Sequence, residues 1–158
     1  MKFTKVLSVV ALLLASILTS SPASAGVRAC KEGLVLKFGQ ACTYRSVNFG
    51  VAAPKLYRHN EFCSGKYGYT FVVTTRNNSS RIAKFDSVTV QASSRAGDGD
   101  KCYDSANQIS GEPDSSLLPH RLISFKEGFA FNSYKDLTVQ VNVDPFYTFN
   151  GPTVYWTR

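Results

Sequence analysis

The sequence predicts a small all-β domain, an antiparallel β-sandwich or Greek-key barrel stabilised by two disulfides. Three observations predict it. Apolar and polar residues alternate over many short runs, turn-forming residues separate those runs, and four cysteines follow an export-type N-terminus. Past the N-terminal segment no window sustains a 3.6-residue period over three turns, so helices are not expected.

The chain opens MKFTKVLSVVALLLASILTSSPASA, with Lys2 and Lys5 before an apolar run from Val6 to Leu18 and small residues at Ala23-Ser24-Ala25. That is the plan of a secretory signal peptide over 1–25. The apolar run, 13 residues, is shorter than the roughly 20 of a bilayer-spanning helix, and transmembrane anchoring is not expected. Residues 26–158 are then a single secreted, extracellular all-β domain, long enough to build its own core. The formal charge of +7 falls to +5 without Lys2 and Lys5. Lys and Arg are scattered with no run of five or six, which gives no nucleic-acid footprint.

Cys30, Cys42, Cys63 and Cys102 form an even set in a chain bound for an oxidising compartment, so disulfides are expected. No C-x-x-C pair is present and neither histidine stands at a ligand interval from a cysteine, which argues against zinc. Four cysteines allow three connectivities. The expected one joins Cys30 to Cys42 and Cys63 to Cys102, because nearest-neighbour pairing tethers the long Ser93–Pro119 stretch to the strands.

Element by element, LVLKF and ACTYRSVNF read as short strands bounded by Gly and Asn. YTFVVTTRNNSSRIAKFDSVTVQ reads as a hairpin turning at Asn77–Ser80, with a β-bulge near Asp86-Ser87 where the apolar phase slips. Residues 93–119, rich in Ser, Gly, Asp and Pro, read as an irregular surface excursion pinned at Cys102. LISFKEGFAF reads as a second hairpin turning at Lys126-Glu127-Gly128. In DLTVQVNVD, Leu137, Val139, Val141 and Val143 alternate with polar residues, and TVYWT ends the chain as a further strand. Tyr44 to Val51 resembles the aromatic-glycine signature of βγ-crystallin folds over eight residues, but Val51 stands where that motif requires glycine, so the resemblance implies no family, fold or site here.

Four groups of residues are candidate sites. The C-terminal aromatics Tyr147, Phe149, Tyr155 and Trp156 can present rings to a sugar or a protein partner, with Val154 and Trp156 on one face of their strand and Tyr155 on the other, and core packing is the preferred reading for Trp156. His59, Glu61 and His120 carry the side chains for acid–base hydrolysis, although no G-x-S-x-G, H-E-x-x-H or P-loop accompanies them. Asp98, Asp100 and Asp104 fall close enough to supply calcium ligands. An EF-hand alignment from Asp98 fails, with Tyr103 where glycine is needed and Ile109 where glutamate is needed, and a turn is the preferred reading. Asn77 and Asn78 each begin an N-x-S glycosylation acceptor. The expectation is a secreted module that binds an extracellular glycan or protein, with no cofactor, no metal and no nucleic acid. Its alternatives are an inhibitor or toxin acting through the Ser93–Pro119 loop and a small hydrolase using His59, Glu61 and His120.

Overall fold

Leu137, Val139, Val141 and Val143 are fully buried and the residues between them are not, as their alternation requires. In the computed structural model, described over residues 27–158 except Asn60, Phe62, Asp86, Ser87 and Phe149, this pattern recurs through two packed sheets. The expected signal peptide and the expected bulge at Asp86-Ser87 lie outside the described residues. The strands are β1 (Arg28–Ala29), β2 (Leu34–Lys37), β3 (Ala41–Tyr44), β4 (Val47–Val51), β5 (Lys55–Tyr57), β6 (Tyr67–Asn77), β7 (Ala83–Lys84), β8 (Thr89–Ser94), β9 (Gly97–Asp98), β10 (Asp100–Cys102), β11 (Ser116–Leu117), β12 (Leu122–Phe131), β13 (Thr138–Asn142) and β14 (Thr153–Thr157).

The fold is a β-sandwich. One sheet runs β1-β3-β4-β6-β12-β10, with β5 also paired to β6, and the other runs β2-β14-β13-β8-β9. β7 and β11 form a separate two-stranded ribbon. Pairing is antiparallel except at two outer positions, where β1 runs parallel to β3 and β2 parallel to β14. On the inner face of the first sheet Phe71 of β6 meets Phe129 and Phe131 of the neighbouring β12 edge-on at centroid distances of 6.1 and 6.5 Å, a favoured aromatic geometry. Disulfides join Cys30 to Cys42 and Cys63 to Cys102. The first ties β1 to β3. The second ties the loop at Cys63 to the end of β10 on the outer face of the first sheet, where Gly65 and Gly128 leave room: a Cβ on Gly65 would stand 2.6 Å from the Phe131 nitrogen, and one on Gly128 2.9 Å from Ile109.

Several local expectations are corrected. ACTYRSVNF is two strands, β3 and β4, joined at Arg45-Ser46 with φ of 47° and 66°. Positive φ at both central positions is the pattern of a type I′ turn, normally filled by Asn-Gly. Since serine resists this region and glycine does not, Ser46→Gly is expected to raise stability by about 1 kcal/mol. A urea titration checks it, and a lowered midpoint would refute it.

The Asn77–Ser80 segment does not close a hairpin, because β6 and β8 belong to different sheets and the chain crosses between them by way of β7. LISFKEGFAF is one unbroken strand, β12, paired along its whole length with β6. Gly128 marks the close approach of Ile109 rather than a turn. The Ser93–Pro119 stretch carries β9, β10, β11 and a 3-10 turn over Ser105–Asn107, so it is largely built into the sheets.

Candidate functional site

The C-terminal aromatics divide. Trp156 is 0% exposed and its indole N–H donates to the Gln40 carbonyl at 2.9 Å, so it is core and not a binding platform. The alternation that buries Trp156 turns Tyr155 to the opposite, outer face of the second sheet. Tyr147 is exposed at the end of the sandwich, 5.8 Å from the Lys84 ammonium, and Phe149 lies outside the described residues.

Tyr155 stands at the edge of an ordered array. Ladder register puts Gln91, Gln140, Tyr155 and Val35 in one row across β8, β13, β14 and β2. Ser93, Thr138 and Thr157 form the row on one side, ending on Asp98 of β9 and Lys37 of β2, and Thr89, Asn142 and Thr153 form the row on the other. Three residues from each of three strands therefore face outward, every one uncharged and polar, although 18% of the chain is charged. Hydroxyls and amides on this face repeat at about 4.8 Å across strands and roughly 6.7 Å along them.

The hydrolytic residues do not converge. His59 Nε2 lies 2.9 Å from the Gly65 carbonyl, near the Tyr67 end of β6. His120 holds the third position of a tight turn, with φ of 60° and an Arg121 N–H to Leu118 carbonyl bond, two residues before Leu122, which pairs with Arg76 at the other end of β6. The length of that strand separates the two imidazoles by about 30 Å. Glu61 is exposed on the His59 loop.

The three aspartates serve local structure. Asp100 accepts the Ser64 N–H at 2.6 Å, Asp104 caps the 3-10 turn by accepting from Asn107, and Asp98 pairs with Ser93 in the ladder. Among the described residues no three His, Cys, Asp or Glu side chains are grouped to hold a metal. Of the two glycosylation acceptors, Asn77 is buried, its amide donating to the Arg81 and Leu117 carbonyls, whereas Asn78 is exposed.

One cluster was missed by the sequence reading. Glu127, placed by sequence at a hairpin tip, is 0% exposed on the inner face of β12. Lys101 reaches in from β10 with its Nζ 3.1 Å from Glu127 Oε2, and the same ammonium pairs with Glu112, which also accepts the Val90 N–H at 2.8 Å. Among the described residues neither Glu127 oxygen has a hydrogen-bond partner, and Oε2 meets Lys101 only as an ion pair. Burial, then the Glu112 charge, push the Glu127 carboxyl up to about 7, outweighing the opposing pull of Lys101. Burial acts to lower the Lys101 pKa, but the hydrogen bond to Glu112 and the two carboxylate charges leave it raised. Inward-pointing charged side chains near a sheet edge are a known guard against edge-to-edge pairing, and Lys101 and Glu112 line a cleft of about 420 Å³ together with Phe129 and Ala92.

No family model matches the chain, and no curated protein matches it. Solved structures do resemble it. The yjhA protein from Bacillus subtilis superposes with a TM-score of 0.61 at 11% identity, over 77% of this chain and 97% of that one. MPT63, a secreted protein from Mycobacterium tuberculosis, gives 0.57 at 11% identity over 79% and 97%. An uncharacterized β-sandwich protein from Clostridium difficile 630 gives 0.50 at 14% identity over 84% and 98%. At these identities the likeness is one of fold, and it agrees with the two-sheet sandwich. No helix among the described residues is long and apolar enough to cross a membrane.

Proposed function

We propose that the protein is a secreted, non-catalytic binding module that recognises an extracellular glycan through the outer face of its second sheet, beside Tyr155. The observation that carries this reading is the array of uncharged hydroxyls and amides around one aromatic ring. A sugar presents hydroxyls at its edge and C–H groups on its faces, so it is matched by amide and hydroxyl groups beside a ring on which it can stack. Charge on this face is confined to its margins, at Lys37 on β2 and Asp98 on β9, and the three strands between them carry none outward. Secretion is supported by the N-terminal segment and by two disulfides, which persist in oxidising compartments. The distance between His59 and His120 weighs against the hydrolase alternative.

The test is binding to insoluble cellulose, chitin and peptidoglycan, with Tyr155→Thr as the variant because threonine keeps a β-favouring side chain. Losing the ring is expected to weaken binding about tenfold while the melting temperature stays close to that of the parent. Trp156 emission is expected to stay unchanged on binding, since the indole faces the core. Failure to bind any of the three glycans, or binding indifferent to Tyr155→Thr, would sink the proposal.

A further inference from the structure

Cations scattered along the sequence gather at one end of the sandwich, around Asn77. The Asn77 N–H donates to the Arg121 carbonyl and its side-chain amide to the Arg81 carbonyl. Arg76 Nε donates to Asn78 Oδ1, and the Asn78 N–H to the Ser46 carbonyl, which brings in the Arg45 turn. Lys84 lies on the ribbon that caps this end, its N–H bonded to the Pro145 carbonyl. Among the described residues the ion pairs are Arg95–Asp136 and those of Lys101 with Glu112 and Glu127, so none of these five cations has a carboxylate within 4 Å. Three of them sit over aromatic rings instead, Arg45 at 5.4 Å from the Tyr44 centroid, Arg81 at 4.6 Å from that of Phe146 and Lys84 at 5.8 Å from that of Tyr147.

The same end exposes apolar side chains. Ile82 is 52% exposed, Leu118 54% and Tyr147 41%. The antiparallel register of β7 with β11, in which Leu117 faces Ala83, carries Leu118 to a place opposite Ile82. Arg81, Ile82, Lys84, Phe146 and Tyr147 border one shallow cleft of about 350 Å³. Each apolar residue sits on a different turn or strand end, so they form a tip rather than a groove that would seat a helix.

We infer that this end of the sandwich docks on an anionic lipid surface, with Ile82, Leu118 and Tyr147 entering the headgroup layer and the five cations meeting lipid phosphates. Charge complementarity selects an anionic partner, since five unpaired cations converge where no ion pair neutralises them. The exposed apolar residues select a lipid over a soluble polyanion, because a polyanion rewards the cations and leaves Ile82 and Leu118 in water. The surface is separate from the sheet face around Tyr155.

Both disulfides and every described strand lie within 27–158, so that chain is the one to test, free of the apolar run at 6–18. Co-sedimentation with vesicles of about 30% phosphatidylglycerol in phosphatidylcholine is expected to retain the protein at least tenfold better than phosphatidylcholine alone. Lys84→Glu and Arg121→Glu, both at exposed positions, are each expected to lower that partitioning at least tenfold. Ile82→Ser with Leu118→Ser is expected to lower vesicle binding while leaving retention on inorganic polyphosphate unchanged. Equal binding to both vesicle types would overturn the inference. So would vesicle binding that ignores the double serine variant, which would mark the end as a polyanion site. Melting curves of each variant confirm that the fold is kept.

Discussion

Trp156→Ala is expected to cost the fold about 3–5 kcal/mol, a large part of the stability of a domain this size. The indole is 0% exposed and lies in the ladder between Val139 and Leu36, on the inner face of the second sheet. Its N–H donates to the carbonyl of Gln40, in the connection that carries the chain from β2 to β3 and so from one sheet to the other. Truncation therefore opens a cavity in the core and strands a carbonyl at once. Trp156→Phe separates the two effects: most of the ring volume stays, and the unpaired Gln40 carbonyl is expected to cost about 1–3 kcal/mol. Urea titrations of the three proteins decide the matter. A Trp156→Ala protein within 1 kcal/mol of the parent would mean that the indole is not in the core.

That Tyr155 and Trp156 face opposite ways was legible in Val154-Tyr155-Trp156, because period two makes neighbours alternate. Which of the two faces was wet was not legible, since that depends on which sheet packs behind the strand. The same division runs through the fold. Single strands such as Thr138–Asn142 and Thr153–Thr157 were readable from their own alternation. Partner choice was not, because β6 pairs with β4, β5 and β12, more than ten residues away in each direction, while the apparent hairpin partner β8 joins the other sheet. The array around Tyr155 was hidden for the same reason. Gln91, Gln140 and Tyr155 are unremarkable singly and become neighbours only through the register of three strands distant in sequence. The basic end escaped a search for runs of charge because Arg45, Arg76, Arg81, Lys84 and Arg121 span most of the domain.

Glu127 shows how a local signal can mislead. Lys-Glu-Gly has the composition of a turn, yet pairing of Glu127 with Phe71 and of Gly128 with Thr70 keeps the strand running and aims the carboxyl at the core. Its consequence is a pH dependence that an exposed glutamate would not have. The ordinary carboxyl titrates near 4.5, while burial and the Glu112 charge hold this one at about 7. Between those values the folded protein keeps a proton that the unfolded chain has released, so stability falls as pH rises from 4.5 to 7 and changes no further above it. The full loss attributable to this group is about 3 kcal/mol, and the side chain is too deeply buried for solvent to screen it away. Lys101 carries a raised pKa and stays charged throughout the window, so it moderates the loss without moving it. Unfolding free energies measured between pH 4.5 and 8 are therefore expected to decline through the window in the parent and to flatten in Glu127→Gln, whose amide does not titrate. Lys101→Met, which leaves Glu127 with no compensating charge, is expected to steepen the decline and carry it to higher pH. A parent protein as stable at pH 8 as at pH 5, or a Glu127→Gln variant that keeps the parent's slope, would show that the carboxyl is ionised and satisfied in the folded state. The core would then have to supply the Glu127 carboxylate with a hydrogen-bond donor beside Lys101.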